Sequence, residues 1–191
     1  MEKAYLEDIK QACAVMEKGG VILYPTDTIW GIGCDATNPQ AVQRVYDIKR
    51  RSDSKAMLVL IDSSAKLQYY VKEIPPVTWD LIDLGEKPLT IIYDGARNLA
   101  PNLLDEDGSV GIRVTKEEFS QQLCFRFRKA IVSTSANISG EPSAANFAQI
   151  SEEVKSAVDY IVKARRSEKG QVKPSSIIKL DAKGYVKIIR E

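Results

Sequence analysis

Short apolar segments recur along the chain and alternate with segments whose apolar residues follow a helical period. The predicted strands are residues 21–24, 29–34, 57–61, 89–93, 110–114, 130–134, 177–180 and 185–189, with one more at Ile161. The last two are predicted to form a hairpin across the turn at residues 181–184. Because helices and strands interleave without a strict βαβ rhythm, the order predicts an α+β (mixed α/β) fold with helices packed on a mixed sheet.

Capping residues mark the predicted helix boundaries. The first helix has one apolar face, formed by Leu6, Ile9, Cys13 and Met16, and it is expected to end at Gly19 and Gly20. Asn38 followed by Pro39 predicts the start of a second helix. Thr115 and Glu118 have the spacing of a capping box for a helix that runs to about residue 129. Shorter helices are predicted around residues 64–71 and 76–84 and after Ser151.

The chain contains no histidine, which restricts its chemistry. This absence excludes Ser-His-Asp hydrolases, Cys-His proteases and histidine-ligated metal sites. Its cysteines, Cys13, Cys34 and Cys124, are widely separated, so they indicate neither a disulfide framework nor a zinc site. If the protein is an enzyme, we expect it to act through charges, hydroxyls and backbone donors.

Length, charge and hydropathy indicate an ordinary globular protein. The 191 residues predict one domain, residues 1–191. A net charge of +1 does not by itself indicate a polyanionic partner. No apolar run approaches the roughly 20 residues needed to cross a bilayer, and the N-terminus has no signal-peptide core. We therefore predict a cytoplasmic protein without membrane association.

Two segments in the first third of the chain carry more polar groups than folding alone requires. Residues 24–31 end a predicted strand with two hydroxyls, a carboxylate and an indole. They also fit an ordinary strand, a proline turn and a core tryptophan. Residues 49–55 hold four cationic side chains that suit a phosphate clamp. They also fit a solvated charge run that offsets a helix dipole.

Two later segments have the same ambiguity. Residues 133–143 are rich in hydroxyls that suit phosphate or ribose oxygens, but they lack the Gly-Lys-Ser/Thr of a Walker A loop. An ordinary serine-rich turn without a binding role would have the same composition. Residues 173–178 together with Arg190 could join the same site, or they could be a loop that enters a hairpin.

Taken together and in order, these segments resemble the YrdC/TsaC family of threonylcarbamoyl-adenylate synthases over essentially the whole chain. Each motif alone is weak, whereas the ordered set is specific. The matches are Pro-Thr-[Glu/Asp]-Thr-x-[Tyr/Trp]-Gly at residues 25–31, Lys-x-Arg at Lys49 and Arg51, a strand arginine at Arg113, Ser-Ala-Asn-x-Ser-Gly at residues 135–140, and Ser175-Ser176 in place of a late Ser-Thr pair.

The resemblance implies a role for each matched position. Lys49 and Arg51 are the implied catalytic residues, at the triphosphate and the reacting carbamate. The implied ATP-binding residues are Lys49, Arg51, Lys55, Ser109, Ser135, Asn137, Ser143 and Arg190. The implied threonine-binding residues are Thr28, Arg113, Ser133 and Ser175, with Arg113 as the bidentate partner of the carboxylate. Mg²⁺ is implied on the phosphates of ATP, without a protein metal cage.

The resemblance also implies a fold and a reaction. The expected fold is a YrdC-like twisted mixed β-sheet, flanked by helices, around a basic concave cleft. The implied enzyme is a nucleotidyltransferase that makes threonylcarbamoyl-AMP and pyrophosphate from L-threonine, bicarbonate and ATP. Its product would serve a downstream tRNA threonylcarbamoyl transferase complex that forms N6-threonylcarbamoyladenosine in tRNA.

The main alternative is a double-stranded RNA- or tRNA-binding protein of the same fold without adenylation activity. Cations in residues 49–51, 126–129 and 163–169 would then contact the phosphate backbone. The YrdC-like part of hydrogenase-maturation proteins fits less well, because those chains are longer and contain histidines. A polar run at residues 165–173 is further predicted to act as a lid over the site.

Overall fold

A mixed β-sheet organises the part of the chain that the structure describes. The computed structural model describes residues 3–50, 57–169 and 174–191. Its strands are β1 (Ile22–Tyr24), β2 (Gly31–Gly33), β3 (Leu58–Ile61), β4 (Leu89–Tyr93), β5 (Val110–Val114), β6 (Ile131–Ser135), β7 (Tyr160–Ile161), β8 (Ser176–Leu180) and β9 (Val186–Arg190). They form one sheet in the order β7-β1-β2-β6-β3-β5-β4-β8-β9.

Parallel and antiparallel pairs both occur in this sheet, as the irregular element order predicts. The pairs β1–β7, β3–β5 and β4–β8 are parallel. The pairs β1–β2, β2–β6, β3–β6, β4–β5 and β8–β9 are antiparallel. The predicted mixed sheet and the predicted C-terminal hairpin are confirmed.

Six α-helices accompany the sheet in the described residues. They are α1 (Lys3–Glu17), α2 (Pro39–Lys49), α3 (Leu67–Tyr70), α4 (Val77–Asp83), α5 (Glu118–Phe127) and α6 (Glu152–Ala157). Short 3₁₀ turns lie at Ser64–Lys66, Pro101–Leu103 and Phe147–Gln149. None of the described helices has the length and apolar character needed to span a membrane.

Helix α2 begins and ends where local signals place it. The side chain of Asn38 accepts hydrogen bonds from the backbone N–H groups of Gln40 and Ala41, and Pro39 occupies the first turn. Arg50 ends the helix in the left-handed conformation, with φ of 49°. This boundary leaves Lys49 as the last helical residue, at the end of the helix that approaches the 135–140 loop.

The predicted capping box of α5 is wrong. The hydroxyl of Thr115 lies 2.7 Å from the hydroxyl of Ser120 in a buried pair, so it does not cap the helix. Glu117 is the cap instead, and its carboxylate accepts hydrogen bonds from the backbone N–H groups of Phe119 and Ser120 at 3.0 and 2.8 Å. The helix also ends slightly earlier than predicted, because Arg128 adopts a left-handed φ of 64°.

Helix α1 packs one face on the core. Ile9, Cys13 and Met16 are buried as predicted, whereas Leu6, which shares that face by its spacing, is 36% exposed. All three cysteines are free thiols in the interior, as the sequence suggests. Burial raises the pKa of Cys13 to about 11 and raises the pKa of Cys34 and Cys124 as well. These thiols therefore stay protonated and act as core side chains.

Asp8 fastens α1 to the end of β7. This carboxylate is 4% exposed and accepts hydrogen bonds from the hydroxyl of Tyr160 and from the backbone N–H groups of Lys163 and Ala164, the last two at 2.7 Å. A buried anion is tolerated when several donors satisfy it. The contact positions the segment that follows β7.

Replacing Asp8 by alanine is expected to lower the free energy of unfolding by about 3 kcal/mol, because three donors lose a charged acceptor in a buried site. Urea denaturation measures the change. Asp8→Asn keeps one acceptor oxygen for the backbone donors, so we expect it to lose less than half as much. A loss below about 0.5 kcal/mol for Asp8→Ala, the range of ordinary surface changes, would contradict a structural role.

Candidate active site

A cavity of about 500 Å³ opens on one face of the sheet. Residues two apart on a strand point to the same face, and such pairs line the cavity on three strands. They are Thr90 and Ile92 on β4, Gly111 and Arg113 on β5, and Ser133 and Ser135 on β6. Strand alternation thus brings polar side chains from separate parts of the chain to one surface.

Most of the predicted site residues meet at this cavity. Those that line it are Thr28, Ser109, Arg113, Ser133, Ser135, Ser143, Ser175 and Arg190. Lys49 and Asn137 do not line the cavity themselves. Asn137 belongs to the 135–140 loop, and Lys49 binds carbonyls of that loop next to the lining residue Ser135. Arg51 and Lys55 lie outside the described residues, so their roles stay predictions.

Arg113 is a buried cation at the cavity wall. It is 3% exposed, and its Nη2 lies 3.0 Å from Oδ1 of Asp27 and 3.4 Å from the Thr28 hydroxyl. The Asp27 contact has the distance of an ion pair but lacks hydrogen-bond alignment. Nε of Arg113 has no hydrogen-bond partner among the described residues. A buried guanidinium with an unused donor beside a cavity is suited to bind a carboxylate.

Burial shifts both charges of this pair in the direction that disfavours ionisation. It raises the pKa of Asp27, although the nearby Arg113 acts in the opposite direction. It lowers the pKa of Arg113, with Asp27 again opposing the shift. Arginine nevertheless remains protonated because its ordinary pKa is above 12. The guanidinium is therefore a desolvated positive charge, whose attraction for an anion is stronger than in water.

The turn at residues 25–28 is held by its own hydroxyls. The Thr26 hydroxyl accepts the backbone N–H of Thr28 at 3.1 Å and donates to the carbonyl of Ile29 at 2.7 Å. Trp30 follows, 7% exposed, with its ring 4.9 Å from the ring of Phe147. The predicted core tryptophan is confirmed, and it also lines the cavity.

Lys49 holds the 135–140 loop. It is 2% exposed, and its ammonium donates to the carbonyls of Ser135 and Asn137, both at 2.7 Å. Its own carbonyl accepts the backbone N–H of Ser139 at 2.9 Å. Because Nζ lies 3.5 Å from Oγ of Ser135, the positive charge is one side chain away from the cavity.

Ser109 and Ser175, two further serines of the cavity lining, are also held by their neighbours. Ser109, 2% exposed, donates its backbone N–H to Asp107 at 2.9 Å. A hydrogen bond from Lys179 lowers the pKa of Asp107 to about 2, so this carboxylate is ionised at neutral pH. The Ser175 hydroxyl lies 2.9 Å from that of Thr90.

Comparison with known proteins places this chain in a family. The family model for Sua5, YciO and YrdC, described as "Telomere recombination", matches residues 14–191. The chain belongs to the Sua5/YciO/YrdC family. The family resemblance that the sequence suggested is thereby confirmed.

Curated relatives of this family cover most of the chain. A protein from Pseudoalteromonas translucida is 32% identical over 172 residues, which are 88% of this chain and 91% of the relative. A protein from Vibrio cholerae is 30% identical over 177 residues, which are 91% of this chain and 93% of the relative. Both are named threonylcarbamoyl-AMP synthase.

Solved structures in the family have the same architecture. A Sua5 variant from P. abyssi matches with a TM-score of 0.81 and 25% identity, over 91% of this chain and 53% of that chain. The present chain thus spans about half the length of Sua5. YciO from E. coli matches with a TM-score of 0.84 and 24% identity, over 100% of this chain and 91% of that chain, which shows the shared fold.

Some residues in or beside the cavity were not among the predicted site residues. Asp27 lies within the motif at residues 25–31, which could have marked it as a site residue. The sequence does not, however, indicate its contact with Arg113. Thr90 and Asp105 also line the cavity. Thr90 reaches Ser175 only because β4 and β8 are paired.

Three of the cations predicted for RNA binding form ion pairs with acids in the described residues. Lys129 lies 2.6 Å from Asp35, and Arg50 contacts Glu153. Arg165 lies 2.8 Å from Glu168. These three ion pairs weaken the attraction of their cations for a polyanion, but what favours the enzyme over the RNA-binding alternative is the name of the relatives, threonylcarbamoyl-AMP synthase. The predicted lid at residues 165–173 stays a prediction, since residues 170–173 lie outside the described ranges.

Proposed function

We propose that this protein is an L-threonylcarbamoyladenylate synthase. It makes threonylcarbamoyl-AMP and pyrophosphate from L-threonine, bicarbonate and ATP, for the N6-threonylcarbamoyladenosine modification of tRNA. The observation that carries the proposal is buried Arg113, whose Nε has no partner among the described residues and whose cavity is lined by serine and threonine hydroxyls. Family relatives named threonylcarbamoyl-AMP synthase over nine-tenths of the chain support the same reaction.

The chemistry needs charge stabilisation more than proton transfer. The unprotonated amine of threonine forms a C–N bond with carbon dioxide derived from bicarbonate and loses one proton, giving an N-carboxylate. The hydroxide released when bicarbonate becomes carbon dioxide takes up that proton as water. A carboxylate oxygen then attacks the α-phosphorus of ATP, and the bond to the bridging oxygen of pyrophosphate breaks. Pyrophosphate leaves as an anion, so a site without histidine can perform the step through positioning and electrostatics.

Each end of the cavity suits one substrate. Arg113, beside Thr28, Ser133 and Ser175, is the proposed partner of the threonine carboxylate. The proposed nucleotide end presents neutral donors from Ser109, Ser135 and Ser143 together with the cation Arg190. Lys49, one side chain behind Ser135, and Arg51 add positive charge where the α-phosphate and the leaving group carry negative charge.

Mg²⁺ is proposed to enter with the nucleotide. The described residues contain no group of three or more His, Cys, Asp or Glu side chains that could hold a metal ion. Asp105 is the carboxylate at the cavity wall, and one carboxylate plus phosphate oxygens is an ordinary Mg²⁺ environment. When bound, the ion would neutralise charge on the phosphates.

The biological setting follows from the proposed reaction. Residues 1–191 would act as one domain in the cytoplasm, in the nucleotidyltransferase class. The adenylate would be passed to a tRNA threonylcarbamoyl transferase complex, and tRNA could contact the enzyme during that transfer.

Pyrophosphate release tests this function directly. The protein is supplied with ATP, Mg²⁺ and bicarbonate, and L-threonine is compared with serine, valine and no amino acid. We expect release that requires both threonine and bicarbonate and that changes little between low and moderate salt. ATP binding without threonine-dependent release would reject the proposal, and RNA binding that weakens steeply with salt would favour the alternative.

A further inference from the structure

Arg165 is the first residue of the predicted lid segment, and the family resemblance assigns it no role in the site. It lies four residues after the end of β7 and adopts a left-handed φ of 59°, which is unusual for a side chain with a Cβ. Its side chain is 18% exposed. Such a conformation persists when surrounding contacts determine it, and it is often found near functional sites.

The contacts of Arg165 join three parts of the molecule. Nη1 donates to the carbonyl of Thr26 at 3.0 Å, across 139 residues of sequence. The same nitrogen lies 3.2 Å from Oε1 of Glu117, the cap of α5. Nε donates to both carboxylate oxygens of Glu168 at 2.8 and 2.9 Å. This contact fixes the orientation of the guanidinium whose Nη1 binds Thr26.

The Thr26 carbonyl belongs to the peptide group that connects Thr26 to Asp27. Holding this peptide plane restricts the direction in which the Asp27 side chain leaves the backbone. Asp27 in turn lies 3.0 Å from Arg113, and Thr28 lies 3.4 Å from it. A continuous chain of contacts therefore runs from Arg165 through the 26–28 turn to the guanidinium that faces the cavity.

The geometry points to Arg165 as a positioning residue for the amino-acid end of the cavity. It does not line the cavity, so it acts through the turn and not on the substrate. This inference rests on the proposed function, since it names the residue that orients the proposed carboxylate partner. We expect a specific effect because the contacts of Arg165 described above reach Thr26, Glu117 and Glu168 and none of the nucleotide-side serines Ser109, Ser135 and Ser143.

The test is steady-state pyrophosphate release by Arg165→Ala. We expect the KM for L-threonine to rise on the order of 10-fold, the size of loss seen when a residue that orients a binding group is removed. The KM for ATP should stay within about 2-fold, because the nucleotide end is held by other contacts. Calorimetric titration with L-threonine provides a readout that does not depend on turnover. Arg165→Lys keeps one donor for the Thr26 carbonyl, so it should recover part of the threonine affinity.

Arg44→Ala is the matched control. Arg44 forms a two-pronged pair with Asp159 at 2.7 and 3.1 Å, away from the cavity lining. Its loss removes a comparable ion pair but should leave the KM for L-threonine unchanged. Equal changes in both KM values and kcat for Arg165→Ala, or a threonine KM no higher than in Arg44→Ala, would overturn the inference. If the wild-type protein shows no threonine-dependent release, the proposed function fails and this inference fails with it.

Discussion

Threonine-dependent pyrophosphate release is expected to fall by on the order of 10³-fold when Lys49 is replaced by alanine. The substitution removes a positive charge one side chain behind Ser135, where we place the phosphates. It also leaves the carbonyls of Ser135 and Asn137 without their shared donor. Initial rates of release, measured at saturating ATP and threonine, quantify the loss.

Two further variants separate charge from structure at this position. Lys49→Gln can donate a hydrogen bond to one loop carbonyl but carries no charge, so it should recover stability without recovering the rate. Arg50→Ala removes the neighbouring cation, whose side chain is 66% exposed and pairs with Glu153 at the surface. Such exposed pairs contribute about 0–1 kcal/mol, so this control should keep its rate within about 2-fold. Near-wild-type turnover by Lys49→Ala would refute a catalytic role for Lys49.

L-Threonine affinity is expected to fall on the order of 100-fold in Arg113→Lys. Lysine keeps a positive charge opposite Asp27, so the buried pair and the fold should survive. It loses the planar fork that can bind both carboxylate oxygens, and its shorter reach moves the charge away from the cavity. Titration of the protein with L-threonine measures the change, and the affinity for ATP serves as the internal reference.

A double-mutant cycle distinguishes binding from stability at this pair. Arg113→Met leaves the carboxylate of Asp27 buried without its counter-charge, which should lower stability by about 3 kcal/mol. Adding Asp27→Asn removes that charge and should restore most of the stability, but it should not restore threonine binding. Recovery of binding in the double variant would show that Arg113 matters only through packing.

The secondary structure was accessible from the sequence wherever its signals are local. Asn38 and Pro39 start α2 as predicted, since a cap bonds to N–H groups two and three residues away. The prediction was wrong at α5, where Thr115 and Glu117 are both possible N-caps. Burial of the Thr115 hydroxyl against Ser120 decided in favour of Glu117, and burial is a property of the folded chain.

The site residues likewise divide into those that the sequence predicted and those that only the structure revealed. The family resemblance implied the hydroxyls and the cation Arg113 that line the cavity. Strand alternation explains why Arg113, Ser133 and Ser135 reach one face, whereas Thr28, Ser109, Ser143 and Ser175 lie in turns and loops. The sequence did not predict the contact between Arg165 and Thr26 or the pair formed by Thr90 and Ser175. Those residues are 139 and 85 positions apart in the chain.

The sequence alone thus determined the element types, the mixed sheet and the family. Apolar periods and caps are local patterns, and the order of the motifs along the chain can be read without a structure. The tertiary structure decided which charges are buried, which cations are paired and which residues hold the binding groups in place. Asp27 shows the reason. Its carboxylate has a special role only because the pairing of strands places buried Arg113 beside it, and strand order and register are set by the packing of the whole chain.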